Sequence, residues 1–126
     1  MENPKVFAHE RLVAYARTCE FLAQAAGLLR TLPRGEAHVA DQLRRAGDSV
    51  LLNLCEGAGR TAGREKAHFY DIARGSATEC AAALAILAIR SLVQPAAVTA
   101  ARSVLHEVVC LLSALSRSAR ERSGTG

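Results

Sequence analysis

The stretch from Asp41 to Arg60 reads DQLRRAGDSVLLNLCEGAGR, and its apolar residues recur at steps of three and four. This spacing places Leu43, Val50 and Leu54 on one face of an α-helix. Glycines at positions 57, 59 and 63 predict the end of that helix and a short joint. The stretch therefore predicts an amphipathic helix that buries its apolar face against a partner.

The same spacing continues along most of the chain. Four helices are predicted, over residues 9–32, 36–57, 64–93 and 96–120, because turn-forming residues separate them at 33–35, 57–63 and 94–95. The apolar lines predicted for the four helices are, in order, Leu12, Ala16, Cys19, Leu22, Ala26 and Leu29; Val39, Leu43, Ala46, Val50 and Leu54; Phe69, Ile72, Ser76, Cys80, Ala83 and Leu87; and Val98, Ala101, Leu105, Val108, Leu112 and Leu115. Short joints make consecutive helices antiparallel. The fold class is therefore all-α, an up-down-up-down four-helix bundle with residues 1–126 as one domain.

Composition agrees with a helical globular protein. The chain has 126 residues, of which 50% are hydrophobic and 4% aromatic, which excludes a disordered chain and favours helix over strand. The formal net charge of +4 permits an acidic partner without requiring one. The start of the chain is polar, and the longest apolar run, Cys80 to Ile89, is about half the ~20 residues that a membrane crossing needs. We therefore expect a cytoplasmic protein with no membrane partner.

The sequence contains no complete motif for a metal site, a redox centre or a nucleotide-binding loop. Cys19, Cys55, Cys80 and Cys110 are far apart in sequence, so we expect free thiols packed as small hydrophobic groups. Glu65 and His68 form one E-x-x-H pair, whereas a di-iron bundle needs two. The glycine-rich segment 57–64 lacks the G-K-[ST] ending of a nucleotide-binding loop and follows a helix. The sequence predicts no metal, no cofactor and no enzymatic activity.

Six polar side chains lie beside or within the apolar lines of the second and third helices: Gln42, Ser49, Asn53, Glu56, Ser76 and Glu79. Buried polar groups cost a few kcal/mol unless they are hydrogen-bonded, so we expect a polar network between the two helices. Such a network can fix how helices pair. A ligand or catalytic pocket is the alternative interpretation.

Residues 41–60 resemble a known signature, Q-x-R-R-A-x-x-S-I-x-x-N-I-x-E-G-x-G-R, of the four-helix-bundle proteins encoded by intervening sequences in bacterial 23S rRNA genes. A second signature of that family, F-x-x-x-A-x-G-S-x-x-E, matches Phe69, Ala73, Gly75, Ser76 and Glu79. The resemblance spans roughly residues 9 to 115 and implies a homopentamer of antiparallel bundles. More distantly, the chain is similar to the accessory variability determinant of diversity-generating retroelements, which is a pentameric nucleic-acid-binding bundle.

Basic residues suggest a nucleic-acid partner, either RNA or DNA. The candidate phosphate-binding residues gather in sequence around the second joint: Arg44, Arg45, Arg60, Arg64, Lys66 and Arg74. Arginine binds phosphate in a bidentate manner, but acidic residues interleave with the cluster and can pair with it. Aromatic residues are too few for base stacking, so we expect salt-sensitive contacts to the backbone.

A structural or adaptor oligomer that binds another protein is the rival hypothesis. The first and fourth helices carry apolar residues on more than one face, for example at 12–14 and 108–112, and excess apolar surface is usually an interface. From Ser116 onward the chain carries Arg117, Arg120 and Arg122, and this basic tail is expected to fray from the fourth helix. Its charge suits a helix carboxyl end better than a nucleic-acid-binding arm.

Overall fold

A computed structural model describes residues 6–125 of the chain. Within that range there are four α-helices and no strand, which confirms the all-α prediction. They are α1 (Val13–Arg30), α2 (Ala37–Gly59), α3 (Gly63–Ile89) and α4 (Pro95–Thr125), with short 3-10 helices at Ala8–Arg11 and Arg34–Glu36. The two ends of the predicted domain, residues 1–5 and 126, lie outside the described residues.

Each helix packs against two others, in the cyclic order α1, α2, α3, α4. The contacts of α3 with α2 and α4 are the most extensive. Together the helices enclose a core whose largest fully buried side chains include Phe21, Leu43, Leu54, Leu84 and Leu112. This packing is the arrangement expected of a four-helix bundle.

The buried faces agree with the sequence for α2 and differ for α1. Every residue of the predicted α2 line, from Val39 to Leu54, is buried. The α1 prediction is wrong, because Ala16 and Ala26 are exposed and the buried line instead consists of Ala14, Thr18, Phe21, Ala25 and Leu28. Since alanine and leucine occur on several faces of α1, the spacing did not single out the face that carries Phe21, its largest apolar residue.

The joint between α3 and α4 begins earlier than predicted. Helix α3 ends at Ile89 rather than at residue 93, because Ser91 adopts a left-handed conformation with φ of 55°. The amide of Leu92 then donates to the carbonyl of Leu87 at 3.0 Å, which satisfies an end carbonyl as in a Schellman motif. A glycine usually occupies that left-handed position, so the serine gave no signal in the sequence.

The carboxyl-terminal tail, which the sequence predicts to fray, is helical in the structure. Helix α4 begins at Pro95 and continues to Thr125, five residues beyond the predicted end. Ser116 and Ala119 are buried, at 2% and 0% exposed. A side chain at Gly63 would collide with the carbonyl oxygen of Ala119, so the start of α3 packs directly on the last turns of α4. This packing keeps the tail helical.

Candidate functional site

A small set of hydrogen bonds joins α2 to α3 halfway along their length. The hydroxyl oxygens of Ser49 and Ser76 lie 2.7 Å apart. The side-chain amide of Asn53 donates to the backbone carbonyl of Ser49 at 2.9 Å and to its hydroxyl oxygen at 3.1 Å. Ser76 is only 8% exposed. These three residues of the predicted polar network are therefore connected, and they satisfy one another.

The other three predicted members do not join this set. Gln42 and Glu79 are exposed at the rim of the same groove and make no hydrogen bond within residues 6–125. Glu56 is exposed and accepts a 3.1 Å hydrogen bond from Arg60. The polar line in the sequence is thus divided between a hydrogen-bonded set, in which Ser76 is buried and Ser49 and Asn53 are half-buried, and the exposed residues Gln42 and Glu79. Glu56 belongs to the joint between α2 and α3.

An open groove of about 490 Å³ lies above the two serines, between α2 and α3. Its floor is formed by Ser49 and Ser76, and Arg45 and Glu79 stand on opposite rims. No histidine lines the groove, and its one carboxylate, Glu79, makes no hydrogen bond to either serine hydroxyl within the described chain. Among the described residues no group of three or more His, Cys, Asp or Glu side chains could hold a metal ion.

The six basic residues predicted to bind phosphate do not form one surface. Arg44 pairs with Asp41 at 2.7 Å and faces the groove between α1 and α2, whereas Arg45 lines the groove between α2 and α3. Arg74 faces α4, where it donates to the hydroxyl of Ser113 at 3.2 Å. Helix periodicity separates these three residues from one another, although they are close in sequence, and Arg74 instead lies beside Arg117 and Arg120 of α4.

The other three members stay together at the joint between α2 and α3. Arg60 pairs with Glu56 at 3.1 Å and Glu65 at 3.3 Å, and its guanidinium lies 4.9 Å from the ring centre of Phe69. Arg64 is exposed and forms no ion pair within the described chain. The Lys66 ammonium donates to the carbonyls of Gly57 and Ala58, at 3.2 and 2.9 Å, and so caps α2.

The carboxyl end of α4 reaches the same place. Ser116 donates a 2.6 Å hydrogen bond to Asp71, and Arg120 pairs with the other oxygen of that carboxylate. Burial alone would raise the pKa of Asp71, but the hydrogen bonds from Arg120 and Ser116, with the charges of Arg120 and Arg74, hold it below its usual value. Burial, with a smaller contribution from the charge of Arg122, lowers the pKa of Lys66, so Arg122 lies near that ammonium.

We call this region, residues 56–74 with 117–122, the basic end. It holds seven of the sixteen basic side chains and four of the twelve acidic ones: Arg60, Arg64, Lys66, Arg74, Arg117, Arg120 and Arg122, with Glu56, Glu65, Asp71 and Glu121. The sequence missed the contribution of α4 because its arginines follow the joint by about 50 residues and were expected to lie in a frayed tail. The regular apolar spacing of Leu105, Leu112 and Ala119 was the signal that the helix continues.

The apolar excess predicted for residues 12–14 is confirmed at Val13, which is 57% exposed, and the excess predicted on α4 is not found. On α4, Val108 and Leu112 are buried, and Val109 and Leu111 pack against the core, so the apolar excess predicted for residues 108–112 is absorbed within the chain. Within residues 6–125 the large apolar side chains exposed to solvent are those of Phe7, Val13, Leu52, Ile72 and Ile89. Helices α3 and α4 are also long and apolar enough, by length and composition alone, to cross a membrane, a test that core helices of soluble proteins pass as well.

The thiols occupy different environments. Cys80 is fully buried, and burial, assisted by the charges of Glu79 and Asp48, raises its pKa to about 12. Cys110 is exposed on α4, so it does not fit the prediction of a packed thiol. Glu65 pairs with Arg60, and the ring of His68 lies against Phe69, so this E-x-x-H pair forms ordinary surface contacts.

Comparison with known proteins identifies relatives of this fold. The model of a family described as 23S rRNA-intervening sequence protein matches residues 10–114. A crystal structure of a protein with unknown function from the S23 ribosomal protein family of Bacteroides thetaiotaomicron is similar, with a TM-score of 0.77 and 20% sequence identity. The match covers 82% of this chain and 98% of that one, and at this identity it shows the fold alone. Among curated proteins, none matches this chain significantly.

Proposed function

Since the chain belongs to the 23S rRNA-intervening sequence protein family, we propose that it is a non-enzymatic, homo-oligomeric helical bundle that binds the phosphate backbone of RNA or DNA. The basic end carries this proposal, because it gathers cationic side chains from α3, α4 and the α2–α3 joint at one end of the fold. We propose a cytoplasmic homopentamer, in keeping with the resemblance described above.

Contacts between the helices support an antiparallel order within each subunit. Arg90 at the end of α3 pairs with Glu36 just before α2, and Ser49 meets Ser76 at mid-length. Arg17 near the start of α1 pairs with Glu107 near the middle of α4 at 3.1 Å, whereas Leu28 near the end of α1 lines the same cavity as Ala97 at the start of α4. The packing of Gly63 against Ala119 supports the same order for α3 and α4.

The chemistry of the basic end favours contacts to phosphate over contacts to bases. Guanidinium groups bind phosphate oxygens in a bidentate manner, and Arg64 and Arg117 are exposed without an ion pair within residues 6–125. Aromatic residues make up only 4% of the chain, too few for a stacking surface. Assembly into a ring of identical subunits would repeat the basic end around the symmetry axis and multiply the charge of +4.

The groove between α2 and α3 supports a non-enzymatic role. The hydroxyls of Ser49 and Ser76 bond to each other, and the groove offers them no histidine. A serine nucleophile needs a neighbouring base and an oriented partner for that base. We therefore propose that Ser49, Asn53 and Ser76 fix the pairing of α2 with α3, and that no cofactor acts there.

A protein-binding adaptor is the second candidate function. It is favoured by the exposed side chains of Leu52 and Ile72, which are 66% and 39% exposed on α2 and α3. Apolar groups in solvent often mark a contact with another protein. This candidate predicts association with a protein and no affinity for nucleic acid, which separates it from the first.

Titration of the purified protein with fluorescently labelled RNA and duplex DNA tests the proposal. We expect binding to both at about 50 mM salt, with affinity that falls steeply as salt is raised. No affinity for either at about 50 mM salt would end the nucleic-acid hypothesis and leave the adaptor. Light scattering on the same sample tests whether the mass is a multiple of the 13.4 kDa chain.

A further inference from the structure

We propose that the outward face of α2 and α3 is the surface through which two copies of this chain associate, with Arg45 of one copy paired to Glu79 of the next. This inference depends on the homo-oligomer proposed above, and it assigns the surface by which the subunits associate. Two independent features support it, an exposed helix face that is nearly free of charge and two opposite charges without partners.

The solvent-facing side of α3 is apolar over four turns. Between Arg74 and Arg90 its exposed residues are small or apolar apart from Glu79, and they are Gly75, Thr78, Ala82, Ala85, Ala88 and Ile89. An 18-residue window of this helix has a mean hydropathy of 1.5, and only 39% of that window is buried. Ile89 is 81% exposed. A helix face that points to water normally carries charges, so this face is suited to a partner.

The groove beside this face holds a cation and an anion that the chain leaves unpaired. Arg45 on α2 and Glu79 on α3 are both exposed at the rims, and neither forms an ion pair or hydrogen bond within residues 6–125. Most other acidic residues near an arginine in this protein are paired with it, as Glu36 and Asp71 are. Arg45 and Glu79 are therefore available to a molecule that lies across the groove.

A second copy of the chain complements this surface in charge and shape. Every copy carries both Arg45 and Glu79, so in a ring each copy can present Arg45 to one neighbour and Glu79 to the other, which is a head-to-tail contact. The small side chains of Ala82 and Gly75 allow another helix to approach closely, since a Cβ built on Gly75 would meet no atom within 4 Å. Ile86, half-buried in the groove, adds apolar contact.

A lipid membrane fits the same face less well. Bilayer contact would bring the Glu79 carboxylate into an apolar phase without a counter-charge, and charged groups there are costly. A second copy, in contrast, provides Arg45 to that carboxylate. The contact also gives Arg45 a role other than binding nucleic acid.

Charge reversal tests the pairing. Arg45→Glu and Glu79→Arg should each weaken self-association at least about tenfold, because each places like charges across the contact. The double variant Arg45→Glu/Glu79→Arg should restore association to within about threefold of the natural chain, since the pair is then reversed rather than lost. Arg102→Glu, at an exposed position of α4 without an ion pair in the described chain, is the matched control and should leave the mass unchanged. Light scattering across a dilution series measures the effect.

Each outcome bears on a different claim. An oligomer that Arg45→Glu leaves intact, or a double variant that stays dissociated, overturns this contact while the proposed oligomer stands. If the natural chain scatters light as a 13.4 kDa monomer, both the contact and the homo-oligomer are overturned. The titration with RNA and DNA then tests nucleic-acid binding separately. A monomer that sediments with phosphatidylcholine vesicles would assign the face to lipid instead.

Discussion

The hydroxyl of Ser116 in α4 donates a 2.6 Å hydrogen bond to Oδ1 of Asp71 in α3, and Arg120, one turn later in α4, pairs with Oδ2 of the same carboxylate. Ser116 and Asp71 are 45 positions apart in sequence, so their hydrogen bond holds the last turns of α4 against the first half of α3. Through the same carboxylate Arg120 is held on α3, and Arg122, one turn from Ala119, comes close to Lys66.

Replacement of Asp71 by asparagine should lower the free energy of unfolding by about 1–2 kcal/mol at pH 7, because a charge-assisted pair of hydrogen bonds is lost. The pKa of Asp71 is depressed in the folded state, so its contribution is present above the ordinary value of 3.8 and is lost as pH falls through the lower folded value. The difference between the natural chain and Asp71→Asn should therefore shrink below about pH 4. Denaturant unfolding at several pH values measures it.

Glu121→Gln is the control for that experiment, since Glu121 is exposed nearby and forms no ion pair within the described chain. It should change the free energy of unfolding by less than about 0.5 kcal/mol. A difference between the natural chain and Asp71→Asn that stays constant down to pH 2 would show that the carboxylate does not carry this contribution.

Gly57→Ala should destabilise the protein by about 1–3 kcal/mol, because a methyl group there must displace its neighbours. The added Cβ would come within 2.9 Å of two ring carbons of Tyr70 and 3.1 Å of the Lys66 carbonyl oxygen. Gly59→Ala is the matched control two residues later, where a Cβ meets nothing within 4 Å. Thermal and denaturant unfolding compare the two, and equal stability of both variants would contradict the close packing of α2 against α3.

The hydrogen bond between Ser49 and Ser76 should appear as a coupling energy of about 0.5–1.5 kcal/mol in a double-mutant cycle of Ser49→Ala and Ser76→Ala. Each single variant removes the bond between the two hydroxyls and leaves one of them in place, whereas the double variant removes both hydroxyls. Thr78→Ala serves as control, because its exposed hydroxyl bonds only to the Arg74 carbonyl of its own helix. A coupling energy of zero would remove the role proposed for these serines in fixing helix pairing.

Arg64→Ala and Arg117→Ala should each weaken RNA binding roughly tenfold at low salt and reduce the salt slope by about one, since each removes one phosphate contact. Arg34→Ala is the matched control, because Arg34 is exposed in the joint before α2, at the opposite end of that helix from the basic end. It should leave affinity unchanged. Equal loss in all three variants would indicate diffuse charge rather than a site at the basic end.

The sequence predicts the buried residues of a helix best where only one face of that helix is apolar. In α2 the apolar and polar residues separate cleanly, and every member of its predicted line, from Val39 to Leu54, is buried. In α1 apolar residues occur on several faces, so the line around Phe21 was missed. Spacing along one helix reports its faces, but it does not report which neighbour each face meets.

The residues of the basic end could not be predicted from sequence proximity alone. Arg44, Arg45 and Arg74 are close in sequence to the joint, yet they face three different grooves, because helical periodicity rotates them apart. Arg120 joins the site through Asp71, a contact that depends on how α3 packs on α4. The left-handed Ser91 also left no signal, since serine occupies a position where glycine is usual.

The measurement that tests the central claim most directly is the salt dependence of RNA binding by the natural chain. If the basic end binds phosphates, the logarithm of the association constant should fall linearly with the logarithm of salt concentration, with a slope of about −0.7 for each single-strand phosphate contacted. We predict measurable binding at about 50 mM salt and a slope of about −1.4 or steeper, from two or more contacts. Absence of binding at that salt, or affinity that does not change with salt, would contradict nucleic-acid binding through the basic end.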